Sequence, residues 1–180
     1  MEYIELFKQL ENQKVRYLIC GGLAVNIYGI PRMTADIDIL VDFSEDNLTK
    51  FETAIKLLLY QSRVPVSIKT FVDKEERERA VKEKNLIAYS YFNSQSNYMS
   101  LDVLMDVPMG FENLWEAKVT RSIDAISVNV VSVEDLIRLK QYANRKQDVD
   151  DVILLSKLLK KWAILLFPKQ KTLIKASIIR

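Results

Sequence analysis

Residues 20–42 read CGGLAVNIYGIPRMTADIDILVD. The short apolar run before the glycines, Val15 to Cys20, predicts a buried strand ending at Gly21-Gly22. Two glycines at a strand-to-helix turn let backbone approach a ligand closely. A short helix, Leu23 to Tyr28, opens off them, and a helix N-terminus with its unpaired N–H groups suits a phosphate. Gly29, Ile30 and Pro31 stop it, and Arg32 and Thr34 follow. Ala35 to Val41 then alternates, with Asp36, Asp38 and Leu40 on one side and Ile37, Ile39 and Val41 on the other. Residues i and i+2 of a strand share a face, so Asp36 and Asp38 project side by side. Like charges so placed repel each other, and a divalent cation removes that penalty; carboxylate oxygens suit magnesium. The plainer alternative is a polar strand face open to water, although Asp is a poor strand former.

A site for two metal ions needs a further carboxylate. Asp102 offers it, because it sits inside the apolar strand-like run Ser100-Leu101-Asp102-Val103-Leu104, where an unpaired charge would be costly. Asp106 competes, but it lies near Pro108 and marks a strand end.

Around this centre the pattern predicts alternating helices and strands. Glu2 to Gln13 is amphipathic, with Ile4, Phe7 and Leu10 at helical spacing. Ser44 is placed to cap a helix running to about Tyr60, with Glu45 and Asp46 in its first turn. Val66 to Val72 is a candidate strand. Lys74 to Asn85 is an exposed helix or loop: nine of the eleven residues from Lys74 to Lys84 are charged, with both signs. Leu86 to Phe92 and Tyr98 to Met105 form a hairpin, in which Tyr89, Tyr91 and Tyr98 are packing residues before they are base-stacking ones. Phe111 to Val119 predicts a helix and Ala125 to Val131 a strand. Ser132 and Asp135 resemble a capping box for a helix to about Tyr142, and another helix spans roughly Gln147 to Trp162. The fold expected is α+β, a small mixed sheet flanked by helices. It divides into a core over residues 1–131 and a helical region over 132–180 packed on it.

Composition narrows the chemistry. The 180 residues contain no histidine, which excludes a Ser-His-Asp triad and His-containing zinc sites. One cysteine, Cys20, excludes an intrachain disulfide and is expected as a small core residue. What remains is carboxylates, Lys, Arg, hydroxyls or a borrowed hard metal ion. Charge is uneven: residues 1–60 carry 6 basic and 9 acidic side chains, residues 126–180 carry 11 and 5. The basic end includes Lys157, Lys160, Lys161, Lys169, Lys171 and Lys175, and suits either a polyanion or a solvated helix flank. The apolar run Trp162 to Phe167 is far short of the roughly 20 residues of a membrane helix. Glu2 and Glu5 interrupt any export signal, so a cytoplasmic setting is expected, with no membrane partner.

Gly21-Gly22, a 13-residue spacer and Asp36-Ile37-Asp38-Ile39 resemble the signature of the DNA polymerase beta-like nucleotidyltransferase superfamily. The longer stretch GGLAVNIYGIPRMTADIDILV is similar to its AbiEii-like branch, which includes toxin–antitoxin nucleotidyltransferases. SLDVLMD (residues 100–106) matches the strand of the third carboxylate, and VSVEDLIRLKQYANRKQDVDDVILL (131–155) resembles the helical region of that branch. The similarity covers most of residues 15–160. One departure is clear: the branch usually has Arg-x-Lys-Asp, and this chain has Arg145-Lys146-Gln147-Asp148.

The resemblance implies transfer of a nucleoside monophosphate from an NTP to an acceptor hydroxyl, with Asp36, Asp38 and Asp102 holding two Mg²⁺ ions. It implies Asp102 as a general base, Gly21 and Gly22 around the triphosphate, and Arg32 and Lys140 on the transferred charge. Thr34, Arg145 and Asp148 complete the nucleotide-binding set. Lys140 and Arg145 lie five apart and share no stripe of a continuous helix, so a break near Asn144 is needed to bring them together. The implied acceptor is an RNA or tRNA 3′ end, with a cognate antitoxin as partner. A small-molecule acceptor of the aminoglycoside kind and a non-catalytic nucleotide-binding module are the alternatives.

Overall fold

The computed structural model describes residues 2–93, 95 and 100–166. Tyr98, Lys169, Lys171, Lys175 and the end of the run Trp162 to Phe167 lie outside the described residues. The chain divides into two compact units, Met1–Ser132 and Val133–Arg180.

The first unit contains α1 (Glu2–Asn12), β1 (Tyr17–Ile19), α2 (Gly21–Ile27), β2 (Asp36–Val41), α3 (Glu45–Leu57), β3 (Tyr60–Ser62), a 3₁₀ turn (Ile68–Val72) and α4 (Lys74–Lys84). It continues with β4 (Ala88–Asn93), β5 (Ser100–Leu104), α5 (Phe111–Glu116), β6 (Val119–Ile123) and β7 (Ile126–Val130). The strands form one mixed sheet in the order β3-β4-β5-β2-β1-β7-β6. β2 pairs antiparallel with β1 and parallel with β5, while β1 runs parallel to β7.

Register explains which face is core. Across the sheet Tyr89 lies opposite Val103, Val103 opposite Ile39, and Ile39 opposite Ile19. Directly opposed residues project from the same face, so these side chains form one apolar row. Helices α1 and α3 cover it: Phe7 stacks on Tyr17, and Phe51 meets Tyr91 edge to face. Tyr89 and Tyr91 are buried, and so belong to this core. Burial of Tyr17 and of Tyr91 pushes each of these two hydroxyls well above its ordinary pKa. Cys20 is buried at the end of β1.

Several elements depart from the sequence expectation. Residues 68–72 form a 3₁₀ turn rather than a strand, because Ser67 accepts the Lys69 N–H and starts a turn locally. Ser44 sits at the N-cap of α3 without a side-chain cap hydrogen bond, and its own N–H donates to Asp42. That helix ends at Leu57, and Leu59 (φ +60°) turns the chain into β3, a strand the sequence does not announce. Helix α5 ends at Glu116, so Val119, expected as the helix end, instead opens β6, which pairs with β7 around Asp124 (φ +51°). Lys74–Lys84 is helical and buries only Ala80; Asp73 caps it by accepting from Glu75 and Glu76 N–H.

The second unit is a helix pair, α6 (Val133–Ala143) and α7 (Lys146–Leu166). Asn144 takes a left-handed conformation (φ +48°) between them, which supplies the break that the sequence requires. No helix among the described residues is long and apolar enough to cross a membrane.

Phe51 is fully buried between α3 and the sheet. Phe51→Ala is expected to lower the unfolding free energy by about 3–5 kcal/mol, read from the midpoint of urea denaturation.

Candidate active site

The opposite face of the central strands carries the carboxylates. Asp38 on β2 lies directly across from Asp102 on β5, and Asp36 lies across from Ser100. The parallel register therefore places Asp102 beside the Asp36/Asp38 pair. One oxygen from each of Asp36, Asp38 and Asp102 falls within 4.8 Å of the others, and all three residues are half-buried. Asp102 Oδ1 is buried and accepts no hydrogen bond. An unsatisfied buried oxygen on a carboxylate that stands beside two others is a poor structural feature and a good metal ligand. The donor set, oxygen only, suits Mg²⁺.

The sequence around the cluster makes room for it. Gly21 has φ +60°, and a Cβ there would lie 1.8 Å from Asp38 Oδ2. Glycine is thus required twice, for the backbone conformation and for the space Asp38 occupies. The Cys20 N–H donates to the Asp38 carbonyl (3.0 Å), and the Cys20 carbonyl accepts from Ala24 N–H (3.2 Å). The same residue therefore anchors the carboxylate-bearing strand and starts α2.

The loop between α2 and β2 closes the site. A Cβ on Gly22 would lie 2.8 Å from Thr34 Oγ1 and 3.4 Å from Arg32 Cζ. Thr34 Oγ1 is within donating distance of the Asp36 carbonyl (3.0 Å) and of Asp36 Oδ1 (3.1 Å). Gly21 thus abuts Asp38, Thr34 reaches Asp36, and Gly22 lies beside Thr34 and Arg32. What the sequence reading lacks is Asn26, whose side chain holds Arg32 by its backbone: its Oδ1 accepts from Arg32 N–H (2.7 Å) and its Nδ2 donates to Arg32 C=O (2.9 Å). An amide side chain late in a short, otherwise apolar helix is the one signal by which the sequence could have marked it.

Lys140, Arg145 and Asp148 come together within the second unit. Lys140 is 3% exposed, and its Nζ lies 3.2 Å from Asp148 Oδ1 and 2.7 Å from Asp151 Oδ2. Arg145 reaches Asp148 Oδ2 through Nε at 2.8 Å. Asp151 is a partner that sequence reading missed; it lies one helical turn beyond Asp148. Burial by itself would raise the Asp148 pKa, but hydrogen bonds and charge from Arg145 and Lys140 outweigh it and hold that carboxyl below its ordinary value.

Comparison with known proteins agrees with this geometry. The model of the nucleotidyl transferase AbiEii toxin family, Type IV TA system, matches residues 6–152. The antibiotic-resistance factor ANT(2'')-Ia, solved in complex with adenylyl-2''-tobramycin, shares the fold with a TM-score of 0.56 at 12% identity, covering 92% of this chain and 91% of that one. A nucleotidyltransferase structure from Thermotoga maritima gives 0.54 at 17% identity, over 89% and 94% of the two chains. An antigenic nucleotidyltransferase-like protein from Paracoccidioides brasiliensis gives 0.53 at 19%, over 95% and 88%. No curated protein sequence matches at a significant level.

Two outcomes are expected. Gly21→Ala should displace Asp38 and weaken Mn²⁺ binding, followed by electron paramagnetic resonance, by about tenfold or more while the circular dichroism spectrum is kept. The depressed Asp148 pKa stabilises the fold fully above the unfolded-chain value of about 3.9. That contribution is lost as pH falls through the lower folded value. Thermal melts from pH 6 down to pH 2 should therefore show an acid-side loss that Asp148→Asn reduces.

Proposed function

We propose that this chain, which belongs to the AbiEii nucleotidyltransferase family and is therefore a transferase, moves a nucleoside monophosphate from an NTP onto an acceptor hydroxyl. The observation that carries this reading is the cluster of Asp36, Asp38 and Asp102 with its unsatisfied buried oxygen. These residues would hold two Mg²⁺ ions, which when bound lower the pKa of the attacking hydroxyl and neutralise the leaving pyrophosphate. Asp102 is the proposed general base: it accepts the proton of the acceptor hydroxyl as that oxygen bonds to the α-phosphorus and the bond to pyrophosphate breaks. Gly21 and Gly22 bring backbone close to the triphosphate, and Thr34 steadies Asp36. Arg32 takes up charge on the phosphates. Lys140, Arg145 and Asp148 complete the proposed nucleotide-binding set. Lys140 is already matched by two buried carboxylates, so the more exposed Arg145 is the better of the two cations for a phosphate.

The acceptor in this proposal is an RNA 3′ end, tRNA included, and the chain acts in the cytoplasm as a toxin with a cognate antitoxin. The family description supports the toxin context. Charge supports a polyanionic acceptor: residues 152–180 contain seven Lys or Arg and no Asp or Glu. Lys157, Lys160 and Lys161 stand exposed on α7.

The test is transfer of label from each α-labelled NTP, with Mg²⁺, to total RNA, to an aminoglycoside mixture, or to neither. Label is expected on RNA. Asp38→Ala should reduce the rate by about 10³-fold or more while the fold is retained. Label confined to the small molecules would replace the RNA acceptor, and an undiminished rate in Asp38→Ala would remove the metal site.

A further inference from the structure

The stretch from Gly29 to Ala35 contains no helix or strand, yet it must deliver a guanidinium and a hydroxyl to a crowded site. Pro31 has no N–H to anchor it. One side chain takes over that task. The Asn26 amide engages both backbone groups of Arg32, accepting at 2.7 Å and donating at 2.9 Å, as a neighbouring strand would. Ile30 N–H adds one bond to the Val25 carbonyl (3.2 Å), so the loop lies back along α2. Asn26 holds it near the end of that helix, and the Arg32 guanidinium carbon comes to the beginning of it, 3.4 Å from the position a Gly22 Cβ would take. Thr34, 2.8 Å from that same position, reaches on to Asp36.

From this geometry we propose that Asn26 is a positioning residue for the transfer reaction. It fixes the Arg32 backbone so that the guanidinium is pre-placed for the phosphates of the NTP. The inference rests on the reading of Arg32 as a phosphate contact. Arginine loses much rotamer freedom when it binds, and a loop already held in place leaves less to lose. Asn26 touches neither the carboxylates nor Thr34 through any of these bonds, so its effect belongs to nucleotide affinity and not to metal affinity.

The experiment is a double-mutant cycle on the full chain, using equilibrium binding of the four NTPs with Mg²⁺ and separate Mn²⁺ titration without nucleotide. Arg32→Ala and Asn26→Ala should each raise the dissociation constant for the best-bound NTP about tenfold, the scale of one or two lost hydrogen bonds. The double variant should bind as Arg32→Ala does, within about twofold, because Asn26 acts through Arg32. Mn²⁺ binding should be unchanged in Asn26→Ala. Native NTP affinity in Asn26→Ala, multiplied effects in the double variant, or lost Mn²⁺ binding would each overturn the positioning role. If Asn26→Ala does not fold, Asn26→Asp, which keeps the acceptor for Arg32 N–H and replaces the donor to Arg32 C=O with a second, charged acceptor, enters the same cycle. A native chain that binds no Mg²⁺–NTP would overturn the transferase chemistry proposed above and this inference with it. Native binding that Arg32→Ala alone weakens would overturn the inference and leave that chemistry standing.

Discussion

Mutual repulsion among Asp36, Asp38 and Asp102 is the constraint around which the first unit is organised. Charges about 4 Å apart repel by about 4 kcal/mol per pair at an effective dielectric near 20, and here one oxygen of each carboxylate lies within 4.8 Å of the others. The fold builds this crowding in: the parallel register of β2 and β5 brings Asp102 level with Asp38, and Asp102 Oδ1 is buried without a donor. Neighbouring residues then adapt to the crowding. Gly21 gives up a side chain so that Asp38 has space, Cys20 N–H holds the Asp38 backbone, and the Thr34 hydroxyl reaches Asp36. A cation-binding site is the arrangement in which these features make sense together.

The second unit handles buried charge in the opposite way. Asp148 and Asp151 are almost fully buried, but Lys140 lies between them and Arg145 closes on Asp148 from the other side. Opposite charges at close range with several hydrogen bonds offset desolvation, as the depressed Asp148 pKa reflects. One unit gathers carboxylates from two neighbouring strands, the other gathers carboxylates around its own lysine and arginine. The helix break at Asn144 makes the second cluster, because it lets Lys140 from α6 and Arg145 from the start of α7 converge on one carboxylate.

How much of this was legible in the sequence depended on how local the signal was. The alternation of Asp36-Ile37-Asp38-Ile39 has only one strand interpretation, and β2 carries its aspartates on one face and its isoleucines, both buried, on the other. Gly21-Gly22 marked the turn, and the apolar neighbours of Asp102 marked it as an unusual carboxylate. Short or polar elements were less visible. β3 has three residues and β6 alternates half-buried with exposed positions at a sheet edge, so neither offers a periodic apolar pattern. The turn at Ile68–Val72 looked like a strand because its apolar content resembles one, while Ser67 decided its backbone.

Local periodicity and residue chemistry by themselves determined that the chain has strands bearing paired carboxylates, a glycine turn beside them and no histidine chemistry. These are properties of single segments, set by side-chain spacing of two or 3.6 residues. Only the tertiary structure decided that Asp102 stands opposite Asp38, that Gly21 is reserved for Asp38 Oδ2, that Asn26 holds Arg32, and that Asp151 joins Lys140. Each of those contacts joins residues from different segments, or across a loop or a helical turn. They follow from strand register and chain reversal, which no periodicity within one segment specifies.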